Sequence, residues 1–154
     1  MSPLTLLDYP LDSVTLLQSA ANARLSAEPY TDSRYPDCEK EDWRIGRYTD
    51  EHIDKIVRDF EVNGNPRFYW LDPFATLPQH VDNDTQCSIN IILTENPAPI
   101  TFAGVDYTYR QALLNKALPH SVRNGEYERI ILKISIFDET YESLSARIKY
   151  KLAI

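Results

Sequence analysis

Apolar residues along this chain change their spacing near residue 65, and the change separates a helical segment from a strand-rich one. Residues 11–26, LDSVTLLQSAANARLS, open with an Asp and a Ser able to cap. They then place Val14, Leu17, Ala21 and Leu25 at helical spacing, which predicts a first helix. The stretch 49–64 predicts a second, with Thr49 or Asp50 as N-cap, Ile53, Ile56, Val57 and Phe60 on one face, and Gly64 as the stop. His52, near its start, reads as a surface residue. Between the helices, residues 28–42 are polar, contain two prolines and lack periodicity, so they read as a surface loop. Its acidic end, Asp37 to Asp42, is either a solvated segment or a lid.

From residue 66 the chain becomes a series of short apolar and β-branched runs divided by turn residues: RFYWL, ATLPQHV, CSINIILT, APITF, VDYTYR, QALLN, ALPHSVR and ERIILKISIF. Such spacing predicts an antiparallel all-β unit, a sandwich or a two-sheet jelly roll. Asn124-Gly125 is a dipeptide favoured in tight hairpins, so the last of these strands is expected to pair with the strand carrying His120. YESLSARIKYKLAI reads as a helix or a final strand, and the alternation of Ile148, Tyr150 and Leu152 favours a strand-like tail. The expected class is mainly β with N-terminal helices, in one domain over 1–154. It divides into a helical N-terminal region over 1–65, a β core over 66–138 and a C-terminal tail over 139–154.

Composition supports a folded chain: 154 residues, 43% hydrophobic and 25% charged, are enough for one core and too few for two ordinary domains. The formal charge of -7 repels a phosphate backbone, so no nucleic-acid partner is expected. Cys38 and Cys87 do not make a disulfide framework, which suits a reducing compartment. The first residues resemble neither a signal nor a transit peptide, and no window is apolar enough to span a bilayer. The expected location is cytoplasmic, with no membrane partner.

The chemistry concentrates in LPQHVDND. On a strand, residues two apart share a face, so His80 and Asp82 can offer an imidazole nitrogen and a carboxylate oxygen to one ion. A polar turn at a strand end, helped by Asn83 and Asp84, is the alternative reading of the pair. His120, on a later run, adds a third donor, and two histidines with one carboxylate make the facial set of non-haem Fe(II) oxygenases. Arg129 opens the last apolar run and offers a guanidinium that binds carboxylates through two parallel hydrogen bonds. Pairing with Glu126 or Glu128 is its alternative use, and Lys133, on the same face, is the alternative anchor. Asn90 and Ser88 alternate with Ile89 and Ile91, pointing either into the β core or to solvent. Tyr69, Trp70, Phe74, Tyr107 and Tyr109 serve either a pocket or core packing.

The order of His80-x-Asp82, distal His120 and Arg129 on the final core strand resembles the Fe(II)- and 2-oxoglutarate-dependent dioxygenases, over roughly residues 66–138. HSVRNGEYERIILKISIF looks most like the corresponding segment of the prolyl-hydroxylase-like and aspartyl/asparaginyl β-hydroxylase-like groups. Asn90 stands where the latter commonly carry a cosubstrate-binding Arg. The resemblance implies a double-stranded β-helix (jelly-roll or cupin-like) core in which His80, Asp82 and His120 bind Fe(II). It also implies that 2-oxoglutarate chelates the metal with its distal carboxylate on Arg129. The implied reaction is hydroxylation of an amino-acid or peptide side chain. A cupin-like metalloprotein without 2-oxoglutarate and a metal-free jelly-roll binding module are the alternatives.

Overall fold

The computed structural model describes residues 2–30, 43–82, 84–95 and 98–152. The loop expected at 28–42 lies mostly outside them, as do Cys38 and the acidic run Asp37 to Asp42. All eight runs of the β region form strands: β4 (Gly64–Leu71), β5 (Thr76–His80), β6 (Cys87–Ile92), β7 (Ile100–Phe102), β8 (Val105–Tyr107), β9 (Gln111–Leu114), β10 (His120–Arg123) and β11 (Arg129–Ile136). The first 65 residues, expected as helical, hold α1 (Ser13–Arg24) and α2 (Glu51–Phe60) but also β1 (Leu4–Leu6), β2 (Glu28–Pro29) and β3 (Trp43–Gly46).

The strands make a larger sheet in the order β1-β9-β6-β11-β4-β3-β2 and a smaller one in the order β5-β10-β7-β8. Every pairing is antiparallel. The two facing sheets are the jelly-roll or double-stranded β-helix architecture.

Alternation on β11 explains the layering. Leu132, Ile134 and Ile136 face the helices, where they join Leu16, Ile53, Ile56, Phe60, Phe68 and Trp70 in one core. Ile131 faces the smaller sheet and shares a second core with Ile100, Phe102 and Leu114. Each such fully buried aliphatic side chain contributes about 1.5–3 kcal/mol.

Four local expectations need correction. The buried face of α1 is Leu16, Ser19, Ala20 and Ala23, while Val14 and Leu25 are exposed. Small side chains bring the helix close to its neighbours, and the Ser19 hydroxyl donates to Asp50 Oδ2 at 2.6 Å. The stop of α2 is Glu61, in the left-handed region at φ 57, and not Gly64. Gly64 begins β4 because a Cβ there would lie 2.3 Å from Ile134 Cγ2.

Residues 141–147 are a helix, α3 (Tyr141–Arg147), in place of a strand. Thr140 caps it by accepting from the Ser143 amide, and the tail beyond retains one β-bridge, Lys151 to Leu7. Finally, β11 does not pair with β10. The Asn124-Gly125 segment carries the chain between sheets, because the buried Asn124 amide donates to the carbonyls of Leu71, Asp72 and Tyr127. The tight hairpin is instead at Ala103-Gly104, with φ of 50 and 75, joining β7 to β8.

His52 is half-buried, with its Nε2 enclosed and unpartnered among the described residues. No described helix is long and apolar enough to cross a membrane.

Asp50 caps α2 by accepting from the Ile53 amide at 2.9 Å while holding Ser19 of α1. Burial alone would raise its carboxyl, but the hydrogen bonds from Ser19 and Ile53 outweigh that and hold it below its ordinary value. Asp50→Ala is expected to cost about 1–2 kcal/mol at neutral pH in urea denaturation. A depressed carboxylate stabilises above its unfolded pKa, so the gap between variant and parent should shrink as pH falls below about 4.

Candidate metal centre and cavity

His80 ends β5 and His120 begins β10, and antiparallel pairing sets them directly opposite each other, with ring centroids 4.3 Å apart. Asp82 follows two residues after His80, and its amide donates to the Lys116 carbonyl at 3.3 Å, which holds the loop against the turn after β9. As a result Asp82 Oδ1 lies 3.0 Å from His80 Nε2 and 3.2 Å from His120 Nε2. One ligand atom from each of the three residues falls within 4.8 Å of the other two.

The histidines are oriented by the same local device. Nδ1 of His80 sits 2.8 Å from the Pro78 carbonyl, and Nδ1 of His120 sits 2.8 Å from the Leu118 carbonyl. A carbonyl only accepts, so Nδ1 carries the proton in both rings and Nε2 of the neutral ring presents a lone pair. His120 Nε2 is buried and makes no hydrogen bond of acceptable angle. Two imidazole lone pairs and a carboxylate oxygen therefore converge, a donor set that suits a divalent first-row metal ion.

The cations lie on the other wall. Lys133 Nζ donates to Asp82 Oδ2 at 3.0 Å, leaving Oδ1 turned toward the histidines. Burial would raise the Asp82 carboxyl, but the charges of Lys116 and Lys133 overcome it and hold the group far below the ordinary carboxylate range. Lys133 is itself raised: burial works against its charge, and Asp82 prevails. His120 is lowered by burial first and by the Lys116 charge second.

Between the sheets is a cavity of about 340 Å³ lined by the three donor residues and by Arg129, Lys133 and Lys116. Arg129 is 2% exposed and extends inward from the larger sheet. Its guanidinium donates to the Ala98 carbonyl at 2.6 Å and to the Tyr109 hydroxyl at 3.5 Å, while Nε is buried and unpartnered. Glu128, the alternative partner for Arg129, pairs with Arg24 at 2.7 Å instead.

Asn90 faces the same way as Lys133, its cross-strand neighbour, but stands one step behind the cavity. It accepts from Ser88 at 2.7 Å and donates to the Tyr109 hydroxyl at 3.3 Å, so it reaches Arg129 only through Tyr109. Among the aromatic residues weighed from sequence, Tyr69 and Tyr109 line the cavity, Trp70 packs in the helix-side core and Phe74 is exposed.

Lys116 is the residue that pattern reasoning missed. It is 6% exposed, and burial first and Lys133 second bring its ammonium down to about 7. A signal existed: Lys116 is the sole formally charged residue from Gln111 to Val122.

No protein-family model and no curated protein sequence matches this chain. Solved structures do match. A prolyl-4-hydroxylase from Pseudomonas putida superposes with a TM-score of 0.65 at 15% identity, over 88% of this chain and 91% of that one. An oxidoreductase of the 2OG-Fe(II) oxygenase family from Burkholderia pseudomallei gives 0.55 at 16% identity, over 79% and 77%. The viral collagen prolyl hydroxylase of Paramecium bursaria Chlorella virus-1, solved as a 2OG complex, gives 0.53 at 10% identity, over 87% and 94%. The chain therefore shares the fold of the 2OG-Fe(II) oxygenases, and at these identities the likeness concerns fold alone.

Calorimetry with Co(II) is expected to show one bound equivalent. His80→Ala and His120→Ala should each weaken it by more than about 100-fold, beyond the roughly 10–100-fold typical of losing an outer partner. Circular dichroism of both variants checks that the fold persists.

Proposed function

We propose that this protein is an Fe(II)- and 2-oxoglutarate-dependent dioxygenase that hydroxylates an amino-acid or peptide side chain. The observation that carries the reading is the convergence of His80 Nε2, His120 Nε2 and Asp82 Oδ1 in one cavity with the buried guanidinium of Arg129. The donor set fits the metal on chemistry, and the buried, unpartnered His120 Nε2 is the atom that most needs it. Fe(II), when bound with 2-oxoglutarate and O2, supplies the oxidising power for an unactivated C–H bond.

The remaining tasks fall to the chain. Pro78 and Leu118 carbonyls hold both imidazoles in the tautomer that donates through Nε2. Lys133 keeps one oxygen of Asp82 occupied, so the carboxylate offers the other. Arg129 has a guanidinium face toward the cavity and an unpaired Nε, which suits it to the distal carboxylate of 2-oxoglutarate. Leu77, Val122 and Ile131 provide apolar lining that limits water around the reacting groups. A small molecule or a peptide is the expected substrate, and a reducing cytoplasmic setting suits both Fe(II) and the free, buried Cys87.

Anaerobic titration of the purified protein tests the reading. A visible metal-to-ligand charge-transfer band should appear with Fe(II) and 2-oxoglutarate together and be absent in His120→Ala. Arg129→Ala should raise the 2-oxoglutarate needed by about 30-fold or more, the loss of about 2 kcal/mol expected for a buried charge-assisted pair. Absence of metal binding sinks the proposal. Metal binding with activity untouched by Arg129→Ala favours a cupin-like metalloprotein that does not use 2-oxoglutarate.

A further inference from the structure

The cavity carries a charge that the facial set and Arg129 do not explain. Lys116, Lys133, Arg129 and Arg67 line it against two acidic residues, Asp82 and the exposed Asp84. Lys133 is paired with Asp82 and Arg129 has the Ala98 carbonyl. Among the described residues Lys116 Nζ has neither a hydrogen bond nor an ion pair, although an ammonium carries three donors and Lys116 is 6% exposed. An unpartnered ammonium lining a cavity offers its donors to an anion that enters.

The placement of Lys116 is built in. Its own carbonyl accepts from Asp82, the preceding Asn115 amide donates to the Pro3 carbonyl, and the Asn115 side chain caps the Ala117 amide at 3.2 Å. The turn is thus fixed on three sides, and the side chain projects from it into the cavity. Register places its origin. Leu114, two residues earlier, lies across from Ser88, which lies across from Ser135. Arg129 begins the same strand at the other end, so at about 3.3 Å per residue the two cations start roughly 20 Å apart along β11 and reach into one cavity.

We propose that Lys116 is a second carboxylate anchor of this cavity, acting from the end opposite Arg129, so that the cavity favours ligands carrying carboxylates at both ends. This deepens the dioxygenase reading but requires no metal to hold. The carboxylate that Lys116 takes belongs either to the keto-acid end of the cosubstrate or to the substrate.

Metal-free protein and glutarate provide the first test, by calorimetry and thermal melting. Lys116→Met should weaken glutarate binding by about tenfold or more. Lys116→Gln, neutral but polar, should repeat the loss of affinity. If glutarate fails to bind the parent protein, or binds Lys116→Met within about twofold of it, the proposal is overturned.

A second arm identifies the source. In Fe(II)-loaded anaerobic protein, a Lys116→Met titration that needs about tenfold more 2-oxoglutarate assigns the contact to the cosubstrate. An unchanged midpoint, together with loss of acetate binding to the parent's 2-oxoglutarate-loaded form, assigns it to a substrate carboxylate. An unchanged midpoint with acetate binding also unchanged overturns it. Failure to bind iron would end the dioxygenase reading and leave the metal-free result standing.

Discussion

Strand β11 faces two different environments at once, and its alternation binds the core to the site. Leu132, Ile134 and Ile136 enter the helix-side core, while Arg129, Ile131, Lys133 and Ser135 line the cavity. A slip of one residue would drive two cations into the apolar layer and turn three aliphatic side chains toward polar groups, at a cost of several kcal/mol. Neighbours on both sides, β4 and β6, hold the register over the length of the strand. The packing that makes the larger sheet stable therefore also sets where Arg129 and Lys133 stand.

Charge in the cavity is arranged around one carboxylate. Asp82 is shared, with Oδ2 on Lys133 and Oδ1 between two histidines, and its position depends on a backbone bond to the Lys116 turn. Each partner comes from a different segment, so the site closes only when both sheets are formed and facing. A buried carboxylate with this many partners remains ionised, which is the state needed to hold a cation.

Much of this was legible in the chain. Short apolar and β-branched runs between turn residues located all eight strands from Gly64 onward, and His80, Asp82, His120 and Arg129 do line one cavity. The readings that failed were those in which tertiary contacts override local preference. β1, β2 and β3 are two to four residues long and exist through their partners, so no periodicity marks them. The visible apolar stripe of α1 is its outer side, since close packing selected Ser19, Ala20 and Ala23 over larger residues. Asn124-Gly125 has hairpin propensity, but three carbonyls of the neighbouring backbone claim the Asn124 amide. Lys116 sits in a turn with no repeating pattern, and only the folded topology reveals that it is enclosed.

The division of groups between the walls has a consequence for how a ligand arrives. Imidazole lone pairs and Asp82 lie on the side of the smaller sheet, whereas Lys133 and Arg129 project from β11 of the larger one and Lys116 from the turn after β9. The gap between the sheets thus has a cationic wall and a metal-ligating wall, which meet at the Lys133–Asp82 pair. A ligand carboxylate entering the gap is drawn toward the cations of the larger sheet, which turns its other end toward the donor set at β5 and β10.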